Sequence, residues 1–589
     1  MEQKYYTDER NVQIVVALLK AHGIRKVIAS PGTTNMTFVG SIQNDPFFEI
    51  FSSVDERSAA YMACGMAEES GEPVVLSCTG ATASRNYMSG LTEAFYRKLP
   101  ILAITSHRGD HQIGHLLDQQ IDRRSRPNDI SVESVVIPLV KDVTDEKYCV
   151  VETNKAILAL KANGGGPVHI NMFTAYSKNF LVKELPQVRV IHRRTDFSEW
   201  PALPEGKIAI FCGVHREFTE QETYAIDHFC ACHDAVVFSS HISGYHGKYK
   251  VNWALVMGQR NKPSNLCEID TLIQIGEIPG DTYHAFKPKQ VWRISEDGAL
   301  RDMFGKLTEV FQTTEEKFFR YYTDNSSNDK CSFLKSCKVL YDNTLSMIKD
   351  LPFCNIWIAQ QLASMLPENS EIHFGILNSL RSWSFFEIPN SIVAKCNVGG
   401  YGIDGGMSTL IGASLANPQK LFFGIFGDLA FFYDMNVLGN RHVGSNIRIL
   451  LINNGRGTEF RNYGHPCYPY GEAADTFMAA AGHYGNKSME LVKHYSTDLG
   501  YEYLKASTKD ELLAVKDRFL FPEITDKPML LEVFTDSYNE SNALKNILNL
   551  YDEDGEDINS KIKRKAVSMA KEVLGEERIK GFKLIFGKK

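Results

Sequence analysis

Residues 421–439 read LFFGIFGDLAFFYDMNVLG, and residues 447–455 read IRILLINNG. Both stretches contain an apolar run of strand length that ends in polar residues, Gly427-Asp428 in the first and Asn453-Asn454-Gly455 in the second. A helix-length segment separates them. Strand, helix and strand in this order predict two parallel strands of one sheet.

The same alternation extends through the rest of the chain. The first 180 residues contain the helical pattern VQIVVALLKAHG and the strand patterns KVIAS, PVVLSCTG and PILAITS. The strand pattern restarts near residue 207 with KIAIFCG, AVVFSS, DTLIQIGE and KQVWRIS, and again near 350, where PMLLEVFTD is a further strand. The sequence therefore predicts an α/β protein with three Rossmann-like parallel-sheet domains and a short C-terminal helical tail.

Shifts in composition give the expected domain boundaries. Residues 185–206 have mixed charge and three prolines and are predicted to form a linker. The predicted domains are residues 1–185, 186–345 and 346–545, followed by a tail at 546–589. The tail begins acidic and ends basic, which is typical of an appended helix with a solvated end; a helix lying on a membrane surface is the alternative.

Composition restricts the class of protein. A chain of 589 residues is too long for one hydrophobic core, and its 43% hydrophobic and 23% charged residues are those of a globular protein. A net charge of −7 argues against nucleic acid as a partner. No signal peptide or membrane span is recognisable, so we expect a cytoplasmic protein. The 12 cysteines lack metal-site spacing and are expected to be reduced.

Asp428 and Asn454 lie at the ends of two predicted strands, 26 positions apart. The carboxyl edge of a parallel sheet is where open α/β folds bind ligands. A carboxylate, an amide oxygen and a backbone carbonyl suit Mg²⁺ that keeps positions for phosphate oxygens, and the helix after Asp428 offers N–H groups to a diphosphate. Either motif alone reads as a turn after a strand; together they predict a metal-bridged diphosphate site.

This arrangement resembles the cofactor motif of thiamine-diphosphate enzymes, in which Gly-Asp is followed by Asn-Asn after about 26 residues. The resemblance implies thiamine diphosphate and Mg²⁺ as cofactors, with Asp428, Asn454 and the backbone carbonyl of Arg456 as metal ligands. It also implies cofactor contacts from Gly427, Leu429 and Ala430 in the same GDLA segment. Residues 346–545 would then be the diphosphate-binding domain.

Glu56 is the candidate for the carboxylate that such enzymes place beside N1′ of the aminopyrimidine. It follows a predicted strand and enters an Ala- and Gly-rich helix; the alternative is that Asp55-Glu56 is a helix N-terminal charge pair. The segments SPGTTN with Gly32 and CTGATAS with Thr79 resemble the pyrimidine-binding domain, which would be residues 1–185. Because this superfamily builds its active sites between chains, a homodimer or homotetramer is implied.

Two further segments of the third domain are predicted cofactor contacts. Gly402 and Ile403 lie in NVGGYGIDGGMS, where a bulky apolar side chain would support the bent cofactor; the alternative places Ile403 in the core of a glycine-rich loop. Ser379 lies in LNSLRSW. These segments and GDLAFFYDMN most resemble the 2-succinyl-5-enolpyruvyl-6-hydroxy-3-cyclohexene-1-carboxylate synthases of menaquinone biosynthesis, along residues 10–540. Those enzymes join a unit from 2-oxoglutarate to isochorismate and hold these anions with arginines.

Three expected substrate arginines are missing. The family positions fall on Thr34, on Val398 and near Trp383, with Arg381 close by. Hydrogen bonds to charged groups contribute about 1.5–3 kcal/mol each, so their loss predicts that isochorismate is not the substrate.

The loop SHRGDHQIGHLLDQQ retains other expected substrate contacts. Arg108 and Gln119 match a substrate arginine and a glutamine near the cofactor. The loop also contains three histidines whose ordinary pKa suits proton transfer, although they can equally be solvated surface residues: His107, His111 and His115.

The predicted function is decarboxylation of a small-molecule 2-oxo acid with transfer of the acyl-anion unit to an unidentified acceptor, other than the isochorismate reaction. A simple 2-oxo-acid decarboxylase that releases an aldehyde is the first alternative, and a catalytically silent binding or regulatory subunit is the second. A dehydrogenase is excluded because no GxGxxG element follows the first strand of any domain.

Overall fold

The structure, a computed structural model, describes residues 5–261, 268–280, 286–323, 330–483 and 487–552. Within these ranges the chain forms three sheets of parallel strands accompanied by helices. The predicted α/β class with three parallel-sheet domains is confirmed, whereas the domain boundaries stay predictions. Of the predicted tail, residues 553–589 lie outside the described part of the chain.

The first sheet carries the pyrimidine-type motifs. Its strands are β1 (Lys26–Ala29), β2 (Glu49–Ser52), β3 (Val74–Thr79), β4 (Ile101–His107), β5 (Glu133–Ile137) and β6 (Val168–Phe173). Their order is β2-β1-β3-β4-β6-β5. The helices of this part are α1 (Arg10–Ala21), α2 (Met36–Ile42), α3 (Glu56–Ser70), α4 (Thr82–Asn86), α5 (Met88–Arg97) and α6 (Val143–Ala159). Every residue of β3 and β4 is buried, as expected for central parallel strands with both faces covered.

The central sheet includes a strand that the sequence had not indicated. Its strands are β7 (His192–Thr195), β8 (Ile208–Cys212), β9 (Val236–Ser239), β10 (Lys250–Asn252), β11 (Glu268–Ile275), β12 (Lys287–Ile294) and β13 (Leu307–Gln312), in the order β10-β9-β8-β11-β12-β13-β7. The helices are α7 (Glu220–His233), α8 (Ala254–Met257), α9 (Glu315–Tyr321) and α10 (Ser332–Ser346). Strand β7 lies inside the predicted linker and is an edge strand beside β13, where Arg194 pairs with Glu309. The linker prediction was wrong here because the polar composition of an edge strand resembles that of a loop.

The third sheet places the two motifs described first side by side. Its strands are β14 (Glu371–Phe374), β15 (Val393–Cys396), β16 (Phe422–Gly427), β17 (Ile447–Asn453), β18 (Glu502–Ala506) and β19 (Met529–Phe534), in the order β15-β14-β16-β17-β19-β18. The helices are α11 (Asn355–Leu362), α12 (Asn378–Ser384), α13 (Gly406–Ala416), α14 (Asp428–Asp434), α15 (Leu491–Asp498), α16 (Lys509–Phe519) and α17 (Ser537–Leu548). Strands β16 and β17 are parallel neighbours, with Gly427 opposite Ile452.

The central and third sheets share one continuous apolar core. A single cluster of buried residues runs from Ile210 of the central sheet to Phe423 of the third. Buried His241 of the central domain also contacts the third domain by hydrogen bonding. Its Nε2 lies 3.2 Å from the carbonyl oxygen of Trp383 and 2.9 Å from that of Phe386. Within the described residues the eleven cysteines form no disulfide bond.

Candidate active site

Asp428 and the turn after β17 are held together by backbone hydrogen bonds. Asp428 Oδ2 accepts from the N–H groups of Asn454, Gly455 and Arg456, at 3.2, 2.5 and 3.1 Å. Its Oδ1 accepts from the N–H of Leu429 at 2.7 Å. The two predicted strand ends therefore meet at the carboxyl edge of the third sheet, with the candidate metal ligands beside one another.

The residues at this edge fit a divalent cation. Asp428 is 4% exposed, and burial raises the pKa of its carboxyl group to about 6 despite the backbone hydrogen bonds, so a cation beside it would relieve the cost of its negative charge. Asn454 Oδ1 accepts from the hydroxyl of Thr458 at 2.6 Å and keeps a second lone pair. The described residues contain no group of three or more His, Cys, Asp or Glu side chains that could together hold a metal ion. A metal here would be bound by one carboxylate and neutral oxygens, as Mg²⁺ often is.

The other predicted cofactor contacts of the third domain flank this edge. Ser379 is buried in α12, which follows β14, the neighbour of β16. Leu377 just before it has φ 61° and ψ −113°, a strained conformation of the kind found at functional sites. Ile403 is half-buried between β15 and α13 rather than in the core, which favours the interpretation as a cofactor support. The space beside Gly427 is open, because a β-carbon added there would meet no atom within 4 Å.

In the first domain Glu56 is the first residue of α3. Its neighbour Asp55 is the N-cap and accepts from the N–H of Arg57, so Asp55 alone accounts for the helix-capping role. The Glu56 carboxylate is half-buried and accepts a hydrogen bond of 3.2 Å from Nδ2 of Asn86. Gly32 lies against Thr79, because a β-carbon at Gly32 would stand 2.1 Å from Thr79 Cγ2. The two predicted pyrimidine-side segments are therefore in direct contact.

The three loop histidines differ in burial. His107 ends β4, is buried and packs edge-on against Phe173. Burial, with Arg123 nearby, lowers its pKa to about 4, so its ring is neutral at pH 7. The expectation of an ordinary pKa was wrong for His107 because the strand buries it. His111 and His115 are exposed, as is Gln119, which has φ 55°.

The structure also reveals arginine clusters that the motifs did not show. Arg381 makes two hydrogen bonds to the carboxylate of Glu459, of 3.0 and 2.8 Å. Asp475 pairs with Arg456 at 2.7 Å and with Arg461 at 2.5 Å. Both clusters involve the segment directly after Asn454. The signal in the sequence is the run RGTEFR, residues 456–461, which is unusually charged for a turn after a buried strand.

Arg108, the one substrate arginine that the motifs retain, is attached to its own loop. Its Nη2 donates to the carbonyl oxygen of Asp118 and lies 3.3 Å from Asp118 Oδ1. At the three positions where the resemblance places further arginines, Thr34, Val398 and Trp383 are buried.

Comparison with known proteins identifies the family. Residues 10–125 match the family described as thiamine pyrophosphate enzyme, N-terminal TPP binding domain. The chain is 30% identical over 565 residues to the 2-succinyl-5-enolpyruvyl-6-hydroxy-3-cyclohexene-1-carboxylate synthase of Phocaeicola vulgatus, covering 92% of this chain and 98% of that one. The chain belongs to the thiamine pyrophosphate enzyme family. Its cofactor is thiamine diphosphate, for which Mg²⁺ is the usual partner metal.

Two further synthases of this name show the same relationship. The one from Bacteroides thetaiotaomicron is 28% identical, covering 92% of this chain and 98% of the relative. The one from Porphyromonas gingivalis is 25% identical, covering 92% and 97%. The resemblance to the synthase branch is thus confirmed along nearly the whole length of these proteins.

The exclusion of the isochorismate reaction was wrong. Relatives that align over almost their full length are synthases named for 2-succinyl-5-enolpyruvyl-6-hydroxy-3-cyclohexene-1-carboxylate, although three motif positions lack arginine here. The prediction failed because it counted only the arginine side chains at motif positions. Counting arginines at motif positions set aside Arg381 because it is shifted, and overlooked Arg456 and Arg461; these side chains lie on and beside the turn after β17. In the part of the chain that the structure describes, no helix has the length and apolar character of a membrane span.

Proposed function

We propose that the chain is a carboligase that makes 2-succinyl-5-enolpyruvyl-6-hydroxy-3-cyclohexene-1-carboxylate, the product for which its relatives are named. The observation that supports this most is similarity over 98% of the length of a synthase, with a metal-type site formed by Asp428 and Asn454. The implied substrates are 2-oxoglutarate, which loses CO₂, and isochorismate, which accepts the remaining unit. Thiamine diphosphate supplies the electron sink when bound.

The third domain provides the diphosphate end of this site. Asp428 and Asn454, with the carbonyl of Arg456, would hold Mg²⁺. The backbone of Gly427 and Ala430 would border the phosphates, since the N–H of Leu429 already binds Asp428. Half-buried Ile403 would support the bent form of the cofactor.

The first domain provides the activating carboxylate. Glu56 would share a proton with N1′ of the cofactor's pyrimidine ring and accept a hydrogen bond from N1′–H in the imino tautomer, which favours the form that removes the C2 proton. The amide of Asn86 holds one carboxylate oxygen of Glu56 at 3.2 Å and would leave the other for the cofactor. The carboxylate is therefore oriented before the cofactor binds, which reduces the cost of binding it.

Arginine side chains would hold the substrate carboxylates. Arg381 and Arg108 each have an acidic partner now, Glu459 and Asp118. Asp118 is largely exposed, and exposed ion pairs contribute little stability, so a substrate carboxylate can replace Asp118 on Arg108 at modest cost. The Arg381–Glu459 pair is mostly buried and has two hydrogen bonds, so displacing Glu459 would cost more. His111, His115 and Gln119 lie on the same exposed loop as Arg108 and remain candidates for substrate contact.

The test is an assay with purified protein, thiamine diphosphate and Mg²⁺. We expect CO₂ release from 2-oxoglutarate to rise when isochorismate is added, and mass spectrometry to detect the joined product. Glu56→Gln should abolish both signals. Release of succinic semialdehyde at an unchanged rate, with no joined product, would contradict carboligation. No turnover of 2-oxoglutarate would contradict the whole proposal.

We further propose a homodimer or homotetramer. Around Glu56 several large apolar side chains are exposed, among them Val54 at 79%, Tyr61 at 48% and Met62 at 45%. An exposed apolar patch beside a catalytic carboxylate favours burial against a second copy. Light scattering should give at least twice the chain mass of 66.3 kDa, and Tyr61→Glu should shift it toward the monomer. A monomeric wild type that still turns over would contradict this proposal.

A further inference from the structure

A narrow crevice in the first domain is lined by three arginines, Arg85, Arg123 and Arg126. It lies between α5, the loop of residues 122–131 and the face of the sheet formed by β4 and β6. Its volume is about 30 Å³. A space of this size holds about two water molecules or the oxygen atoms of one carboxylate group.

The side chain of Arg123 is bound by uncharged groups. Its Nη1 donates to the hydroxyl of Thr105, and its Nη2 donates to the side-chain oxygen of Asn171 at 2.6 Å. Thr105 and Asn171 face each other in the register of β4 and β6, so the guanidinium lies across these two strands. Burial lowers the pKa of Arg123 to about 10, which leaves it charged at pH 7. An arginine removed from water is normally paired with an anion, and the described residues provide none here.

The histidines near Arg123 do not balance its charge. His169 lies between two hydroxyl groups, with Nε2 2.8 Å from Thr105 Oγ1 and Nδ1 3.0 Å from Ser134 Oγ. Burial lowers the pKa of His169 to about 3 and that of His107 to about 4, and the charge of Arg123 contributes to both shifts. Both rings are therefore neutral at pH 7.

Arg85 and Arg126 add two further positive charges to the crevice. Arg85 Nη2 donates to the backbone carbonyl of Asp122 at 2.7 Å. Arg126 Nε donates to the hydroxyl of Ser131 at 2.8 Å. Both acceptors are uncharged, and no Asp or Glu side chain of the described residues lines the crevice. Three guanidinium groups around one small space provide a site for a carboxylate or phosphate group.

The crevice lies beside groups already assigned to the reaction. A β-carbon at Gly80 would stand 2.7 Å from Arg123 Nη2 and 2.8 Å from His107 Cβ, so the guanidinium lies where the loop of Arg108 begins. Arg85 directly precedes Asn86, whose amide holds the Glu56 carboxylate. An anion in the crevice is therefore close to the proposed catalytic edge of the first sheet.

The position of the crevice compensates for one missing arginine. The resemblance places a substrate arginine at Thr34, in the turn after β1, and that turn packs against Thr79. The residue after Thr79 is Gly80, which packs against Arg123. Arg123 is bound to β4, which is two strands from β1 in the sheet, or about 10 Å at the usual strand spacing. A guanidinium is thus present at this edge, although it comes from a different segment.

We propose that the crevice is a substrate subsite, in which Arg123, together with Arg85 and Arg126, holds one carboxylate of a substrate. The choice of a substrate as the occupant rests on the proposed function, whose two reactants are both dicarboxylates. Binding of an oxyanion does not depend on that function. Because the space admits only the end of a molecule, the carboxylate enters the crevice and the rest of the substrate stays outside it.

Two variants and a control test the subsite. Arg123→Gln removes the buried charge and keeps an amide that can bond to Thr105 or Asn171. Arg126→Gln is the second variant, because Arg126 is exposed and its replacement leaves the fold intact. Arg124→Gln is the matched control. Arg124 lies between the other two in the sequence, is exposed, and pairs with Asp122 at 2.6 Å instead of lining the crevice.

Binding is measured by calorimetric titration of the full chain with thiamine diphosphate and Mg²⁺. All proteins carry Glu56→Gln so that the substrate is not consumed. The probes are 2-oxoglutarate, isochorismate and inorganic phosphate. We expect Arg123→Gln to weaken binding of at least one of the two substrates at least tenfold, Arg126→Gln at least threefold, and Arg124→Gln not at all. If only phosphate binding depends on Arg123, the substrate assignment is overturned; if no probe depends on it, the whole subsite is overturned.

Steady-state kinetics on the proteins with intact Glu56 identify which substrate enters the crevice. Arg123→Gln should raise the KM of one substrate at least tenfold and change kcat less than threefold, because a carboxylate remote from the reacting carbons is bound equally in the ground and transition states. A fall in kcat with both KM values unchanged would overturn the subsite and show a structural role for Arg123.

The oligomeric state of the variants separates the substrate from a second copy of the chain as the source of the anion. Light scattering should give the same mass for Arg123→Gln and wild type. A monomeric Arg123→Gln beside an oligomeric wild type would show that a carboxylate of a second copy fills the crevice, and would overturn the proposal. Absence of the joined product in wild type, with Arg123-dependent binding of 2-oxoglutarate intact, would contradict the proposed function alone.

Discussion

Gly32 and Thr79 are in direct contact, so that a β-carbon on Gly32 would lie 2.1 Å from the Cγ2 methyl of Thr79. The contact joins the turn after β1 to the end of β3. Gly32→Ala should therefore force the two segments apart, destabilise the protein by about 1–3 kcal/mol and weaken thiamine diphosphate binding. Thermal unfolding and cofactor titration measure both effects.

The matched rescue is Gly32→Ala combined with Thr79→Ser, which removes only the methyl group in contact. The double variant should regain most of the lost Tm and affinity, although Asn35 Oδ1, 2.8 Å from the added carbon, must also move. A double variant as impaired as the single one would show that the contact is not the cause.

Asp428→Ala should abolish Mg²⁺-dependent binding of thiamine diphosphate. The substitution removes the only carboxylate among the proposed metal ligands and releases the turn of Asn454 to Arg456. We expect affinity to fall at least about 100-fold, or about 2.8 kcal/mol, by calorimetric titration of metal-stripped protein. Asp510→Asn, at an exposed position of α16, is the control. Unchanged binding in Asp428→Ala would remove this residue from the metal site.

Glu56→Gln should retain cofactor binding and lose turnover at least about 100-fold, because glutamine cannot exchange the proton that activation requires. Asp55→Asn is a control at the adjacent position, since asparagine also caps helices and α3 should remain intact. Steady-state kinetics and cofactor titration on both variants separate catalysis from binding. Equal losses of turnover in both would indicate a structural effect on α3.

The sequence was sufficient to predict the fold and to place Asp428 beside Asn454, for a physical reason. Fully buried parallel strands require continuous apolar runs, as in β16 and β17, and neighbouring strands place their carboxyl ends together. Asp428 and Asn454 could therefore be paired without a structure. Strand β7 could not be found, because an edge strand buries little and its sequence HRRT carries no apolar pattern.

The substrate side depends on contacts that local patterns do not encode. Arg381 and Glu459 are 78 positions apart and meet only because α12 and the turn after β17 lie on the same sheet edge. The burial of His107 likewise follows from its place at the end of a central strand, not from its polar neighbours in sequence. The exclusion of isochorismate failed for this reason: it compared positions in motifs, whereas charge around a substrate is set by residues from several segments.

Glu540 gives a prediction of pH dependence. It lies on α17, is 2% exposed, and its Oε1 accepts from the N–H of Asn355 at 2.9 Å and from the hydroxyl of Thr535 at 2.8 Å. Burial raises its pKa to about 7, above the ordinary value of about 4.3. Between these two pH values the folded protein keeps a proton that the unfolded chain has released, so this group makes stability fall as pH rises from about 4.3 to 7.

Glu540→Gln imitates the protonated form and should stabilise the protein by roughly 1–3 kcal/mol at pH 8 and by little at pH 4.5. Thermal unfolding of both proteins at the two pH values measures this, with exposed Glu523→Gln as the control. A gain of the same size at both pH values would show that Glu540 is ionised in the folded protein throughout this range.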